Sequence, residues 1–264
     1  MNPLQQWFTH QKQKKAVIRN LSWLLSIQQR DIETLWQSFD HFYREHRYET
    51  TLGEAKTLNR LESFITYVML AAQRPASIIE IGTFYGKSTR RIIDMKSTLG
   101  LSAPIFCYDI CDNVTCFLPE EAKLILADIT IDPRKHLAAY PAPRFIFLDA
   151  RPYHLLKNVI ATYLEHFPDT IMTIHDCSSS LCKREMTMDR SCMEISSSTG
   201  IWERHVLAEC FQKVDPLSPE LDDIDTPTHR LMIFDTTHGL ALLVPKQKLL
   251  GLRNQIEQIA SNSG

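Results

Sequence analysis

The stretch Ser77-Ile-Ile-Glu-Ile-Gly-Thr-Phe-Tyr-Gly-Lys-Ser-Thr89 constrains this chain more than any other segment. Ile78–Ile81 reads as a buried strand, Gly82 to Gly86 as a tight turn, and Lys87 onward as a helix. Glu80, Gly82 and Gly86 form E-x-G-x-x-x-G. Glycine at both positions lets the backbone bend and approach a ligand where a Cβ would intrude. The new helix aims its free N–H groups over the turn, which suits an anionic group. Two other glycine fingerprints fail on spacing. A dinucleotide turn needs G-x-G-x-x-G, but Thr83 and Phe84 follow Gly82. A P-loop needs one more residue between its first glycine and Gly86-Lys87-Ser88.

Downstream of Ser77 the pattern alternates between strands and helices. Ile78–Ile81, Ile105–Ile110, Leu124–Ala127, Phe145–Leu148 and Ile171–Ile174 are apolar runs of the kind found in parallel strands covered on both faces. Lys87–Thr98, a short piece near Pro119–Lys123, Pro133–Tyr140, His154–Phe167 and Ile201–Val214 are the predicted helices. Leu231–Phe234 and Leu240–Val244 flank Asp235-Thr-Thr-His-Gly239, which reads as a β-hairpin. The expected fold class is α/β: a doubly wound, mostly parallel seven-stranded sheet closed by that antiparallel hairpin.

Residues 1–75 read as a helical N-terminal extension, with Ile32, Leu35, Trp36, Phe39 and Phe42 at helical spacing and a break at Thr51–Gly53. Residues 76–250 form the main domain and 251–264 a C-terminal tail. The apolar stripes of the extension are expected to pack on the main domain or to form a homodimer. Cys177–Thr199, rich in Ser, Met and charge, reads as a lid or substrate loop. Asp215–Pro227 is acidic, carries three prolines and reads as a surface excursion.

The glycine turn, the acids after successive strands and the closing hairpin together resemble the class I S-adenosylmethionine-dependent methyltransferases, over about Ser77 to Pro245. The resemblance extends to the small-molecule and sugar O-methyltransferases of that class. It implies S-adenosyl-L-methionine as cofactor, held by Glu80, Gly82, Thr83, Phe84, Tyr85, Gly86, Ser88, Asp109, Asp128, Ile129 and Asp149. Asp109 would meet the ribose hydroxyls, Asp128 the adenine amino group, and Ile129 the ring face. A carboxylate accepts two hydrogen bonds from a vicinal diol, which agrees with the role given to Asp109.

Asp149 and Asp176 end adjacent strands, and the resemblance makes them ligands for a divalent metal such as Mg²⁺. Asp149 is a catalytic candidate by that resemblance, and His154, at a helix start, and His175, beside Asp176 at a strand end, are the candidate bases by their own positions. Relatives often carry D-G-x-H-x-Y after the fourth strand, whereas this chain has Asp149-Ala-Arg-Pro-Tyr-His154. A capping or core role for either histidine therefore stays open, as does a module that binds the cofactor without transfer. A nucleotide-dependent hydride-transfer enzyme stays open too, against the missing G-x-G-x-x-G.

The net charge of −2 leaves no basic stripe for nucleic acid or an anionic membrane. No apolar run approaches the ~18 residues needed to span a bilayer. Met1–Gln13 lacks the apolar core of a signal peptide, and seven irregularly spaced cysteines read as free thiols. The expectation is a cytoplasmic enzyme acting on a small-molecule acceptor.

Overall fold

The computed structural model describes residues 3–46, 48, 57–186 and 201–262. Its N-terminal part holds α1 (Pro3–Leu25), α2 (Gln29–Glu45) and α3 (Arg60–Gln73). The Thr51–Gly53 break lies outside the described residues. On α2 the predicted stripe is buried, Ile32 to Phe42, as the amphipathic period requires. α3 is buried on every side from Leu61 to Ala72, so it runs through the interior of a helical layer. Its start is fixed by a capping box. The Asn59 side chain accepts from the backbone N–H groups of Leu61 and Glu62, and Glu62 reaches back to the N–H of Asn59.

Next come β1 (Ser77–Ile81), α4 (Lys87–Thr98), β2 (Ile105–Asp109), β3 (Lys123–Leu126), α5 (Pro133–Ala138), β4 (Arg144–Leu148), α6 (Tyr153–His166) and β5 (Ile171–Ile174). They are followed by α7 (Ser179–Met186), α8 (Glu203–Cys210), β6 (Asp223–Asp225), β7 (His229–Phe234), β8 (Leu240–Pro245) and α9 (Lys246–Asn262). The sheet order is β3-β2-β1-β4-β5-β8-β7-β6. β1 to β5 are mutually parallel, and β8 returns antiparallel to β5 with Ile174 opposite Ala241.

Alternate residues of each strand enter opposite cores. Phe145, Phe147, Leu240 and Leu242 pack with α1–α4 and α9, whereas Ile146, Leu148, Ala241 and Leu243 pack with α5, α6 and α8. The N-terminal helices are therefore one of the two layers that cover the sheet. Their apolar stripes are used within this chain, on the main domain. Residues 251–262, expected as a tail, belong to α9, whose Leu252 and Ile256 are buried in that same layer.

Three expectations are corrected. Among the described residues the sheet has eight strands, because the acidic excursion contributes the edge strand β6, which pairs with β7. Its Asp-Ile-Asp sequence is short and charged, the composition that blunts a sheet edge. No helix forms near Pro119–Lys123. The Glu121 carboxylate there takes the Leu118 N–H at 2.9 Å and an Arg90 guanidinium N–H at 2.7 Å, which holds a turn. The helix expected over Ile201–Val214 is only Glu203–Cys210, because Gln212 turns left-handed at φ +56°. Part of the expected lid, Ser179–Met186, is helical, and residues 187–199 lie outside the described residues.

Among the described residues no helix is long and apolar enough to cross a membrane. The six described cysteines are free, and Cys192 lies outside the described residues.

Gly239, at the foot of β8, has φ +84°, and a Cβ there would come within 2.0 Å of the backbone nitrogen of Ser178. Gly100 is also left-handed, at φ +58°, but faces open space. Gly239→Ala is expected to destabilise the protein by about 3 kcal/mol or more, and Gly100→Ala by about 1 kcal/mol. Thermal unfolding of the two variants measures the difference.

Candidate active site at the strand ends

Parallel strands bring their carboxyl ends to one edge of the sheet, so the residues after β1, β2, β4 and β5 share a crevice. The β7–β8 turn lies at the same edge, because Phe234 pairs with Leu240 and Ala241 with Ile174.

The glycine turn is held from within the protein. Gly82 has φ +89°, and a Cβ there would lie 2.1 Å from the carbonyl oxygen of Asp149. At Gly86 a Cβ would lie 2.6 Å from the Phe117 ring. The close approach that demands glycine is thus made to the protein's own atoms. Glu80 is fully buried below the turn and accepts from Ser88 Oγ at 2.5 Å and from Thr89 Oγ1. Ser88 therefore gives its hydroxyl to Glu80. Burial pushes the Glu80 carboxyl up to about 7, although Ser88 and Thr89 favour its ionised form.

Asp109 ends β2 and organises the rim. Its Oδ2 accepts the Phe84 N–H at 2.7 Å, and its Oδ1 accepts those of Ile110 and Cys111 at 2.8 and 3.1 Å. Phe84 takes φ +49°, which turns its ring outward beside the exposed Tyr85. Thr83 is buried, with its hydroxyl toward the Tyr108 carbonyl oxygen. Asp128 is exposed and accepts the Thr130 N–H at 2.9 Å. Ile129 is buried in the core shared by α5 and α6.

The chemistry concentrates at β4 and β5. His175 is 3% exposed, with Nδ1 3.3 Å from Asp149 Oδ2 and 3.5 Å from Asp176 Oδ1. Its Nε2 lies 3.3 Å from Glu62 Oε2, at the first turn of α3. Glu62 also accepts from Thr236 Oγ1 at 2.6 Å, from the N–H groups of His238 and Gly239 at 3.1 and 3.2 Å, and from Asn59 N–H at 2.9 Å. Arg151 pairs with Asp176 Oδ2 at 2.8 Å. Asp176 has φ +60°, a left-handed conformation that concentrates at functional sites. Glu203, at the start of α8, is 1% exposed, and its Oε2 has no hydrogen-bond partner among the described residues.

Each charge in this cluster depends on the others. Burial disfavours ionisation of Glu62, but His175, His238 and Thr236 outweigh it and hold the carboxyl well below its usual range. Burial also opposes a charge on His175, yet Asp149 and Glu62 raise its pKa well above the ordinary imidazole value. Asp149 is lowered, because His175 and then Arg151 outweigh its burial. Asp176 is raised by burial and by the Asp149 carboxylate beside it. Glu203 is raised well above the carboxylate range by burial and the charge of Asp176. The positive charge of a proton or a cation at His175 thus offsets carboxylates that cannot all ionise without it.

Asp149, His175 and Asp176 offer ligand atoms within 4.8 Å of one another, two hard oxygens and a nitrogen, a donor set that fits a divalent cation. Glu62, His175 and His238 form a second group of the same tightness.

The structure brings Asp149, His175 and Asp176 together with the glycine turn. It leaves His154 exposed on α6, edge-on to Tyr153. Sequence reading missed Glu62, Arg151, Thr236, His238 and Glu203. The Asn59-x-x-Glu62 capping box is visible in the sequence, but it signals only a helix start. Nothing local says that this carboxylate also reaches a strand end 113 residues later, at His175.

No family model matches the chain, and no curated protein matches it. Solved structures do resemble it. The SAH-bound methyltransferase PaMTH1 of Podospora anserina is 17% identical at a TM-score of 0.47, covering 79% of this chain and 87% of that one. A putative caffeoyl-CoA O-methyltransferase from Staphylococcus aureus is 13% identical at 0.47, covering 78% and 91%. A cmcI chain with SAH is 20% identical at 0.38. That match covers 44% of this chain and 59% of cmcI, so the chain spans less than two thirds of that structure. The fold is defined by its own strand order: five parallel strands, β3-β2-β1-β4-β5, then an antiparallel hairpin. That is the sheet of the Rossmann-like methyltransferase fold.

Two variants test the site's electrostatics. Glu62→Ala removes the acceptor for five donors, His175 Nε2 among them, and is expected to destabilise the fold by about 3 kcal/mol or more. Chemical denaturation checks this. Glu80 ionises near 4.5 when exposed and near 7 when folded. The unfolded chain therefore releases this proton first. The stability Glu80 contributes is full below pH 4.5 and lost as pH rises through 7. Glu80→Gln removes that slope, so wild type should lose up to about 3 kcal/mol relative to the variant between pH 4 and pH 8. Unfolding curves across that range measure it.

Proposed function

We propose that this protein transfers a methyl group from S-adenosyl-L-methionine to a hydroxyl oxygen of a small molecule, with a divalent cation at Asp149 and Asp176. The observation that carries this reading is the buried Asp149–His175–Asp176 cluster, at the same sheet edge as the E-x-G-x-x-x-G turn. A methyl carried on a sulfonium is already activated, and a bound cation lowers the pKa of the acceptor hydroxyl. The protein has then to align donor with acceptor and take up one proton.

Asp109 is assigned to the ribose hydroxyls. Its three backbone hydrogen bonds lock the carboxylate and the Phe84 turn into one rim. The N–H groups at the start of α4 suit the methionine carboxylate. Ser88 acts at one remove there, by tying the helix start to Glu80. Asp149 is the part of the cluster open to solvent, at 21% exposure, and faces an entering acceptor. The acceptor's proton is assigned to the Asp149–His175–Asp176 group as a coupled unit. His154 stands outside that group. A crevice lined by groups as buried as His175 and Asp176 suits a small acceptor better than a polymer.

A second reading, a module that binds the cofactor without transfer, draws support from Arg151. Its guanidinium pairs with Asp176 Oδ2 and brings a positive charge beside the position a cation would take.

Calorimetric titration with S-adenosylhomocysteine is the direct test, with micromolar binding expected. Asp109→Ala should weaken that binding by at least about tenfold, through loss of its charge-assisted hydrogen bonds to the ribose hydroxyls. Asp176→Ala should retain binding and lose transfer to a hydroxylated acceptor. Absence of binding at millimolar ligand overturns the methyltransferase reading. Tight binding without turnover on any hydroxylated acceptor selects the second.

A further inference from the structure

We infer that His175 Nδ1 is a third ligand of the cation at Asp149 and Asp176. This nitrogen makes the site select an imidazole-binding transition metal, of the Fe²⁺, Co²⁺ and Zn²⁺ kind, over Mg²⁺. The inference rests on the reading of Asp149 and Asp176 as cation ligands.

Glu62 fixes which nitrogen of His175 carries hydrogen. A buried carboxylate within 3.3 Å of Nε2 can only accept, so Nε2 is the nitrogen that carries hydrogen. In the neutral imidazole Nδ1 is then left with a lone pair. That atom has no hydrogen-bond partner among the described residues, although the side chain is only 3% exposed. It faces Asp149 Oδ2 at 3.3 Å and Asp176 Oδ1 at 3.5 Å. Three electron-pair donors thus converge on one point, and only a proton or a cation between them makes the arrangement favourable. Arg151 takes the other oxygen of Asp176, which leaves Oδ1 as the one directed at that point.

A carboxylate on the far nitrogen is how proteins orient a metal-binding histidine and raise its basicity. The alternative group, Glu62 with His175 and His238, lacks a free carboxylate. Glu62 Oε1 already accepts from Thr236, His238 and Gly239, and Oε2 from Asn59. Glu62 is therefore a positioning residue. The donor set that remains, two oxygens and one imidazole nitrogen, departs from the all-oxygen shell that Mg²⁺ prefers.

Manganese(II) serves as the spectroscopic probe, because it accepts oxygen and nitrogen ligands alike. Pulsed electron paramagnetic resonance of the full chain loaded with Mn²⁺ should show ¹⁴N modulation, replaced by a ¹⁵N signal when the protein carries ¹⁵N-histidine. This measurement on wild type needs no variant. His175→Gln, with folding checked by circular dichroism, should lose the nitrogen signal, and His238→Ala should keep it. In calorimetry wild type should bind Co²⁺ at least about tenfold more tightly than Mg²⁺, and His175→Gln should lose most of that preference. Mn²⁺ binding without a nitrogen signal overturns the histidine ligand and leaves the carboxylate reading intact. A signal that survives in His175→Gln and vanishes in His238→Ala overturns it in favour of His238. No Mn²⁺ binding at millimolar metal overturns both readings.

Discussion

The buried carboxylate of Glu62 is the interaction on which the arrangement of this protein turns. It begins α3, accepts from two residues of the β7–β8 turn through the backbone and from Thr236 through its hydroxyl, and meets His175 at the end of β5. A charge so far from water persists only when its surroundings replace the hydration it has lost. Here those surroundings come from three separate parts of the chain. The N-terminal helices are thereby tied to the chemistry of the strand ends, and more than apolar contact holds them on the sheet.

The same interaction organises the crevice electrostatically. Glu62 on one side of His175 and Asp149 on the other raise the pKa of the imidazole, and the imidazole in turn lowers theirs. Farther out, Asp176 and Glu203 are pushed toward their neutral forms by burial and by the negative charge of neighbouring acids. Carboxyl groups are thus shifted in opposite directions within a single cluster, a pattern common where proton transfer is carried out.

Much of the fold was legible because its signals are local. Lys87–Thr98 is a helix with the bounds its sequence pattern indicated, and each of the five parallel strands falls within a residue or two of its apolar run. The glycine turn was visible as a turn. Its reason was not: the contacts that demand glycine, to the Asp149 backbone and the Phe117 ring, come from other elements. The edge strand β6 was hidden because Asp-Ile-Asp pairs as a strand only where β7 offers its free edge. The segment near Pro119 read as helix because its local propensity takes no account of Arg90, which holds Glu121 in the turn.

The sequence by itself determined the alternation of strands and helices, and with it the edge of the sheet where Asp109, Asp149 and Asp176 gather, since parallel strands share one carboxyl end. Only the tertiary structure decided which polar groups meet there. It brought Glu62 from the N-terminal layer and His238 from the hairpin to His175, left His154 in solvent, and drew Ser88 down to Glu80. Periodicity fixes which face of an element is buried. Which buried polar groups become partners depends on how whole elements pack, through contacts that span most of the chain.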